Sequence, residues 1–379
     1  MFGFNQRGFS FEVQDECLKK STPVQCKATF TASGVVESIG NSTREDLFQP
    51  NANVAGIGIF VSLAIQAFGT LLLACLFKCF EQKKEIEKTQ RFRRYEILFA
   101  LSDASLILTL AYILNFGLSG KCDMSTYHYY VALDSVLLAC STMVVTFTIS
   151  RFCYFRTFTG VMRFIFMLAI FTLLAVFLGY QMQKNFNTDF PNWVPPKTND
   201  STFLLPISCF VDPDLIEYEN PYSPNRNFDL DRAQLDRLGQ PVRGRELPQL
   251  LIYIFLAVSF LLGWFAHGYG SCCDRQRNRR DTLIHNPHTQ APKRQEKRIQ
   301  RASLCMGLIY IWVFAVCTAT NIFCTWHISG LRNWARRSGW MGDRSEDIPY
   351  SIGQIMPLIA LGGFVVVSFS QLWQHGRRR

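Results

Sequence analysis

Residues 54–77 read VAGIGIFVSLAIQAFGTLLLACLF, a run without a single Asp, Glu, Lys or Arg. About twenty such residues in a helix cross a hydrocarbon layer roughly 30 Å thick. The run also lacks the alternation of a membrane β-strand. Six further blocks of the same kind follow near residues 97–116, 127–149, 161–182, 250–270, 303–326 and 351–373. Lipid offers backbone amides no partner, so each block must satisfy its own amides as a helix. The spacing predicts an all-α membrane protein, a seven-transmembrane-helix bundle over residues 51–373 with a tail at 1–50 and a short basic tail at 374–379.

Composition agrees, because the chain is 49% apolar and 18% charged and its charges gather between the blocks. The net charge of +10 could suit nucleic acid, whose phosphates favour basic partners. The basic runs, however, abut the ends of apolar blocks, where they set orientation and meet anionic lipid. No nucleic-acid role is expected. Met1 to Ser21 carries Glu12, Asp15, Glu16, Lys19 and Lys20 and no apolar core, so no cleavable signal is expected and the first block directs insertion.

Orientation follows from Lys and Arg in the connecting segments. Segments 78–94, 151–163, 271–301 and the tail hold twenty-two Lys and Arg against six Asp and Glu. The N-terminal tail and segments 117–126, 183–248 and 327–349 hold seventeen against twenty. The first set is read as cytosolic, which puts the N-terminus outside and the C-terminus in the cytosol. The sequons at Asn41 and Asn199 both fall on the predicted outer side, which makes them glycosylation candidates.

On this topology four of the thirteen cysteines are outside, and an even outer count suggests disulfides. Of three pairings, Cys17 with Cys26 and Cys122 with Cys209 is favoured; the second ties the start of the third helix to the long outer loop 183–248. Cys272 and Cys273, beside the basic inner loop 271–301, are palmitoylation candidates. That loop suits anionic lipid or an acidic cytosolic protein. No Cys or His spacing reads as a metal site.

Charges inside a spanning helix usually face the bundle interior. Asp103 in the second block and Asp134 in the third are the clear cases, at different depths, so they are not expected to share a proton. Asp134 shares a heptad-spaced stripe with Ser141 and Thr148. With Asn321 in the sixth block and Gln354 in the seventh, these residues form the candidate polar site: Asp103, Asp134, Ser141, Asn321 and Gln354. Two readings stay open, interhelical hydrogen-bonding groups or, for Asp134, a ligand counter-ion or a step of an ion path. The six histidines lie mostly in loops or at helix ends, so they do not assemble a catalytic metal cluster. No phosphate loop or nucleophile elbow is present. Neither an enzyme nor a cofactor is expected.

The stretch Asn51-Ala52-Asn53-Val54-Ala55-Gly56-Ile57-Gly58 resembles an Asn-Pro-Asp-Ile-Ala-Gly-Ile-Gly opening found in seven-transmembrane-helix membrane proteins of filamentous ascomycete fungi, an uncharacterised group. Leu101-Ser102-Asp103, Cys122 with Ser125-Thr126-Tyr127-His128, and Gly353-Gln354-Ile355 are similar to further signatures of that group. Ala52 and Asn53 depart from its Pro-Asp. The resemblance implies a seven-helix fold and carries no activity with it.

Seven helices with an outer N-terminus lead to a receptor-like or sensory protein, in the plasma membrane rather than an endomembrane. Helix three ends Ile149-Ser150-Arg151-Phe152, without the Asp/Glu-Arg-Tyr switch of G-protein-coupled receptors. The seventh block has no Lys for retinal. The alternatives are a small-molecule or ion-coupled transporter using Asp103 and Asp134, and a non-catalytic organiser that binds lipid or protein through its basic loops. The orientation has a direct test. A tag at residue 2 is expected to bind antibody on intact cells, and external glycosidase to shift the chain's gel mobility; a tag reached only after permeabilisation refutes it.

Overall fold

Ile57 to Lys83 is one unbroken helix, and the apolar run quoted above fills most of it. The computed structural model of the chain describes residues 26–30, 36–39, 42–43, 51–83, 88–118, 124–150, 158–185, 194–195, 202–206, 217–219, 248–284, 293–342, 346–347, 354–355 and 357–359. Strands β1 (Lys27–Phe30), β2 (Val36–Ile39) and β3 (Ser42–Thr43) precede helices α1 (Ala52–Ala55), α2 (Ile57–Lys83), α3 (Lys88–Leu118), α4 (Thr126–Ile149) and α5 (Phe158–Asn185). After these come strand β4 (Glu217–Glu219) and helices α6 (Pro248–Ile284) and α7 (Lys293–Ser338).

Among the described residues five helices are long and apolar enough to cross a membrane, over Ile57–Lys78, Thr126–Ile149, Phe158–Val176, Pro248–Ala266 and Leu304–Ser338. The second predicted block survives as the shorter apolar stretch Ile97–Ile113 within α3. Of the seventh, only 354–355 and 357–359 are described, and they are helical. Ile65, Leu72, Ile165, Leu251, Leu261, Leu308 and Ile311 stand exposed. Such apolar outer surface suits hydrocarbon, where it costs nothing to leave uncovered.

α4 sits at the centre, with all of its residues buried and α2, α3, α6 and α7 packed against it. Where α4 meets α5 and α6, Phe147 lies 5.2 Å from Phe260 and 5.7 Å from Phe164, and Phe171 stacks on Phe260 at 5.1 Å. Close approach is built in at Gly263, whose added Cβ would stand 2.8 Å from the Thr148 hydroxyl.

The helices outrun the predicted blocks. α6 continues to Ile284 and α7 begins at Lys293, so most of the predicted inner loop 271–301 is helical. Arg, Lys, Gln and Glu are good helix formers, and a search for uncharged runs sees only the part that lies in lipid. Segment 327–349, read as a loop, stays helical through Ser338. Along α7, Cys324, Ile328, Leu331 and Ala335 are buried at helical spacing, a stripe interrupted by polar residues beyond 326 and therefore missed there. Gly339, at φ 74°, ends the helix in the left-handed region.

The N-terminal tail and segment 183–248 also pair through short strands. The sheet order is β3-β2-β1-β4, with β1 and β4 parallel in register Lys27↔Glu217, Ala28↔Tyr218 and Thr29↔Glu219. The amide of Thr126 donates to the Leu205 carbonyl at 2.9 Å. The N-terminal tail, segment 183–248 and the start of α4 thus meet at one end of the bundle.

Gly58 provides a packing test. An added Cβ would stand 2.5 Å from the Gln354 carbonyl oxygen and 3.0 Å from its Cβ, whereas Gly69 has nothing within 4 Å. Gly58→Ala is expected to cost about 1–3 kcal/mol by forcing α2 off residue 354. Gly69→Ala is expected to be neutral or slightly stabilising. Thermal unfolding in detergent reads both.

Candidate functional site

The first turn of a helix leaves backbone amides unpaired. At the start of α2 they are met from across the fold: the Ile57 amide donates to the Glu346 carbonyl at 2.8 Å, and the Gly58 amide to Gln354 Oε1 at 3.4 Å. Asn51 caps the short α1, its carbonyl accepting from Val54 and Ala55. Its own amide donates to Glu346 Oε1 at 3.0 Å.

Glu346 is 3% exposed, and its carboxylate is fully engaged. Oε1 also meets His128 Nε2 at 2.9 Å, and Oε2 accepts from the Tyr127 hydroxyl at 2.8 Å. His128 Nδ1 lies 2.9 Å from Ser125 Oγ, which accepts the His128 amide at 3.2 Å. The Asn51 amide also lies 3.1 Å from His128 Nε2. Arg332 closes the cluster, donating to the Glu346 carbonyl at 3.1 Å and to Asp347 Oδ1 at 2.8 Å, which Arg336 reaches at 2.5 Å.

Burial pushes the Glu346 carboxyl up, but the hydrogen bond and charge of His128, the Tyr127 hydroxyl and Arg332 outweigh it and hold the group below the usual range. For Asp347 burial likewise pushes upward, and Arg336 and Arg332 bring it below the ordinary value.

Six residues along α4, about 9 Å at 1.5 Å per residue, lies a second pair. Asp134 Oδ2 meets His327 Nδ1 of α7 at 2.5 Å, with both side chains 0% exposed. Gln249, at the start of α6, lies 3.4 Å from both through its amide nitrogen. One heptad further, Ser141 donates to Asn321 Oδ1 at 2.5 Å. Tyr127, Asp134 and Ser141 thus form one stripe of α4, and each engages α7 or the segment after it. Among the described residues, Gln249 Oε1, His327 Nε2 and Asn321 Nδ2 are buried along this seam and find no partner.

The candidate polar residues separate. Asp134, Ser141 and Asn321 line this seam. Thr148 bonds to its own helix, at the Val144 carbonyl. Gln354 serves the start of α2, accepting from the Gly58 amide. Asp103 stands apart, paired through both oxygens with Arg163 of α5 at 2.6 Å, with its side chain 37% exposed. Residues the sequence reading missed are His327, Gln249 and Glu346, all assigned to outer segments or their edges. His327 had a legible signal, since it falls on the buried helical stripe of α7.

Of the outer cysteines only Cys26 is described, and it is partly buried. Cys17, Cys122 and Cys209 lie outside the described residues, as do the sequons at Asn41 and Asn199. Cys272 and Cys273 fall within α6, and their side chains are outside the description. Among the described residues no group of three or more His, Cys, Asp or Glu is placed to hold a metal ion. Set against protein-family models, curated proteins and solved structures, the chain matches none.

Glu346 predicts an acid response. A carboxyl held lower in the folded state than unfolded contributes stability that is complete above its unfolded value, about 4.3, and is lost as pH falls through its folded value. The wild-type chain is expected to lose thermal stability below about pH 4 through this group. Glu346→Gln is expected to cost about 1.5–3 kcal/mol at neutral pH, the scale of hydrogen bonds to a charged group, and to flatten that acid limb. Melting curves of both chains from pH 3 to pH 7 decide it, roughly the range over which a carboxyl titrates.

Proposed function

We propose that the chain is a receptor-like membrane sensor whose switch is the polar seam between α4 and α7. The observation that carries the reading is the Asp134–His327 pair, fully buried and accompanied by polar atoms without partners. Replacing a buried ion pair by apolar side chains is often neutral or stabilising by about 1–4 kcal/mol. A purely structural core has no need of such a pair, whereas an element with two arrangements does.

The finer topology belongs to the same proposal: seven spans, an outer N-terminus and a cytosolic C-terminus in the plasma membrane. The starts of α2, α4 and α6 and the end of α7 meet around Glu346, Asp134 and His327, as a helix order alternating across the membrane requires. With it come disulfides Cys17–Cys26 and Cys122–Cys209, glycans on Asn41 and Asn199, and acyl chains on Cys272 and Cys273. The basic residues of 271–301 would meet anionic lipid or a cytosolic protein.

A second reading is an ion-coupled carrier, favoured by the same pair because intramembrane Asp and His residues mark proton relays. Asp103 plays no part in this version, since its oxygens are held by Arg163. Flux in proteoliposomes separates carrier from sensor. The organiser reading needs no seam and would tolerate its loss.

The apolar double variant Asp134→Leu with His327→Leu tests the sensor. It is expected to reach the membrane, to melt a few degrees higher in line with about 1–2 kcal/mol of stabilisation, and to leave cells with the transcript profile of a gene deletion across nutrients. A wild-type profile from that variant would sink the proposal.

A further inference from the structure

We infer that the species bound at this seam is a proton, held between Asp134 and His327 while the seam is closed and released to water when it parts. The inference rests on the reading of the seam as a switch. It begins from charge. A carboxylate beside a neutral imidazole carries a net negative charge, and at 0% exposure nothing solvates it.

Among the described residues, the neighbours do not supply the missing positive charge. From α6 comes the uncharged Gln249, at 3.4 Å from each partner, too far for a strong hydrogen bond. From α4 comes the edge of Tyr130, 6.0 Å from the His327 ring. On α7 itself the ring is flanked by Phe323 at 5.6 Å and Trp326 at 6.4 Å, and Cys324 lies one turn away on the same face. Glu346, His128 and Arg332 belong to the cluster about 9 Å above. One added proton leaves the pair neutral overall, as imidazolium against carboxylate or as carboxylic acid against imidazole. Either form puts that proton between Nδ1 and Oδ2, which stand 2.5 Å apart.

In water the two groups behave differently. Ordinary values of about 3.9 for Asp and 6.5 for His leave the carboxylate ionised and the imidazole mostly neutral above pH 7. Parting the seam therefore breaks one N–H or O–H bond and passes H⁺ to water, and no electrons move. Linkage then makes the ratio of parted to closed seam rise about tenfold per pH unit above roughly pH 6.5. Glu346, held below the usual carboxylate range, stays ionised through this window and adds no slope.

The test uses the full chain in lipid nanodiscs and a membrane-permeant maleimide. Cys324 is 0% exposed and is reached when the seam parts, whereas Cys305 is exposed throughout. Peptide mass spectrometry gives the ratio of the two labelling rates, each normalised at every pH to the rate of the same cysteine in the denatured chain. In the wild type that ratio is expected to rise about tenfold per unit from pH 7 to pH 9. In Asp134→Asn, and in the double variant Asp134→Leu with His327→Leu should the first fail to fold, it is expected to be flat. A flat wild-type ratio overturns the inference without any variant, and a slope that persists in Asp134→Asn overturns it too. His327→Ala at one fixed pH separates this from the parent reading. If it raises Cys324 labelling while the wild-type ratio is flat, the switch stands and the proton falls. If it leaves Cys324 protected, the switch itself is lost.

Discussion

Burying the Glu346 carboxylate is the constraint around which one end of the bundle is arranged. A carboxylate out of water needs hydrogen bonds for its lone pairs, and Glu346 takes them from the Asn51 amide, the His128 ring and the Tyr127 hydroxyl. Its backbone carbonyl meanwhile accepts from Ile57 and Arg332. One residue therefore fixes the start of α2, the first turn of α4 and the end of α7. Gly58 and Gln354 fit because that junction is already set, with the Gly58 backbone against the Gln354 carbonyl. Without the Glu346 side chain the Tyr127 hydroxyl and the Asn51 amide would each lose a carboxylate oxygen, while the backbone carbonyl at 346 would still meet Ile57.

Below that junction the character of the packing changes along α4. Its N-terminal half meets α7 through polar pairs, at Tyr127, Asp134 and Ser141. Its C-terminal half meets α5 and α6 through packed aromatic rings at Phe147, Phe164 and Phe260. Packed rings gain by dispersion and keep their contacts whatever the pH. The polar contacts depend on protons and on geometry good to a fraction of an ångström. One half of α4 thus packs independently of protonation and the other does not.

Much of the fold was legible in the residues, because lipid imposes a length and a polarity that can be counted. The quoted run at 54–77 lies almost wholly in α2, and the block at 127–149 differs from α4 by a single residue at the start. The polar stripe Asp134, Ser141 and Thr148 was legible from heptad spacing, and the structure gives its first two members partners on α7. What counting could not reach was anything that depends on a remote segment. Glu346 is a single charge in an apparently loop-like stretch, and only tertiary contact reveals it. His327 was hidden differently: Trp326, His327, Ser329 and Arg332 break the apolar run, so the helix looked finished a dozen residues early. Asp103 passed as an interior charge because Arg163, its counter-ion, was counted among orienting residues.

The complete enclosure of α4 also bears on how the chain is made. Asp134 and its partner His327 are separated by 193 positions, and ribosomes add roughly 5–20 residues per second. For about 10–40 s of synthesis the nascent third block therefore carries an unmatched carboxyl in or beside the bilayer, waiting for α7. His128 waits longer still, for Glu346, 218 positions on. A helix destined for the middle of the bundle is thus among the earlier ones to be made and the last to be sealed. Its biogenesis calls for a sheltered lateral site at the translocon, where a polar helix can be kept from lipid until the sixth block arrives.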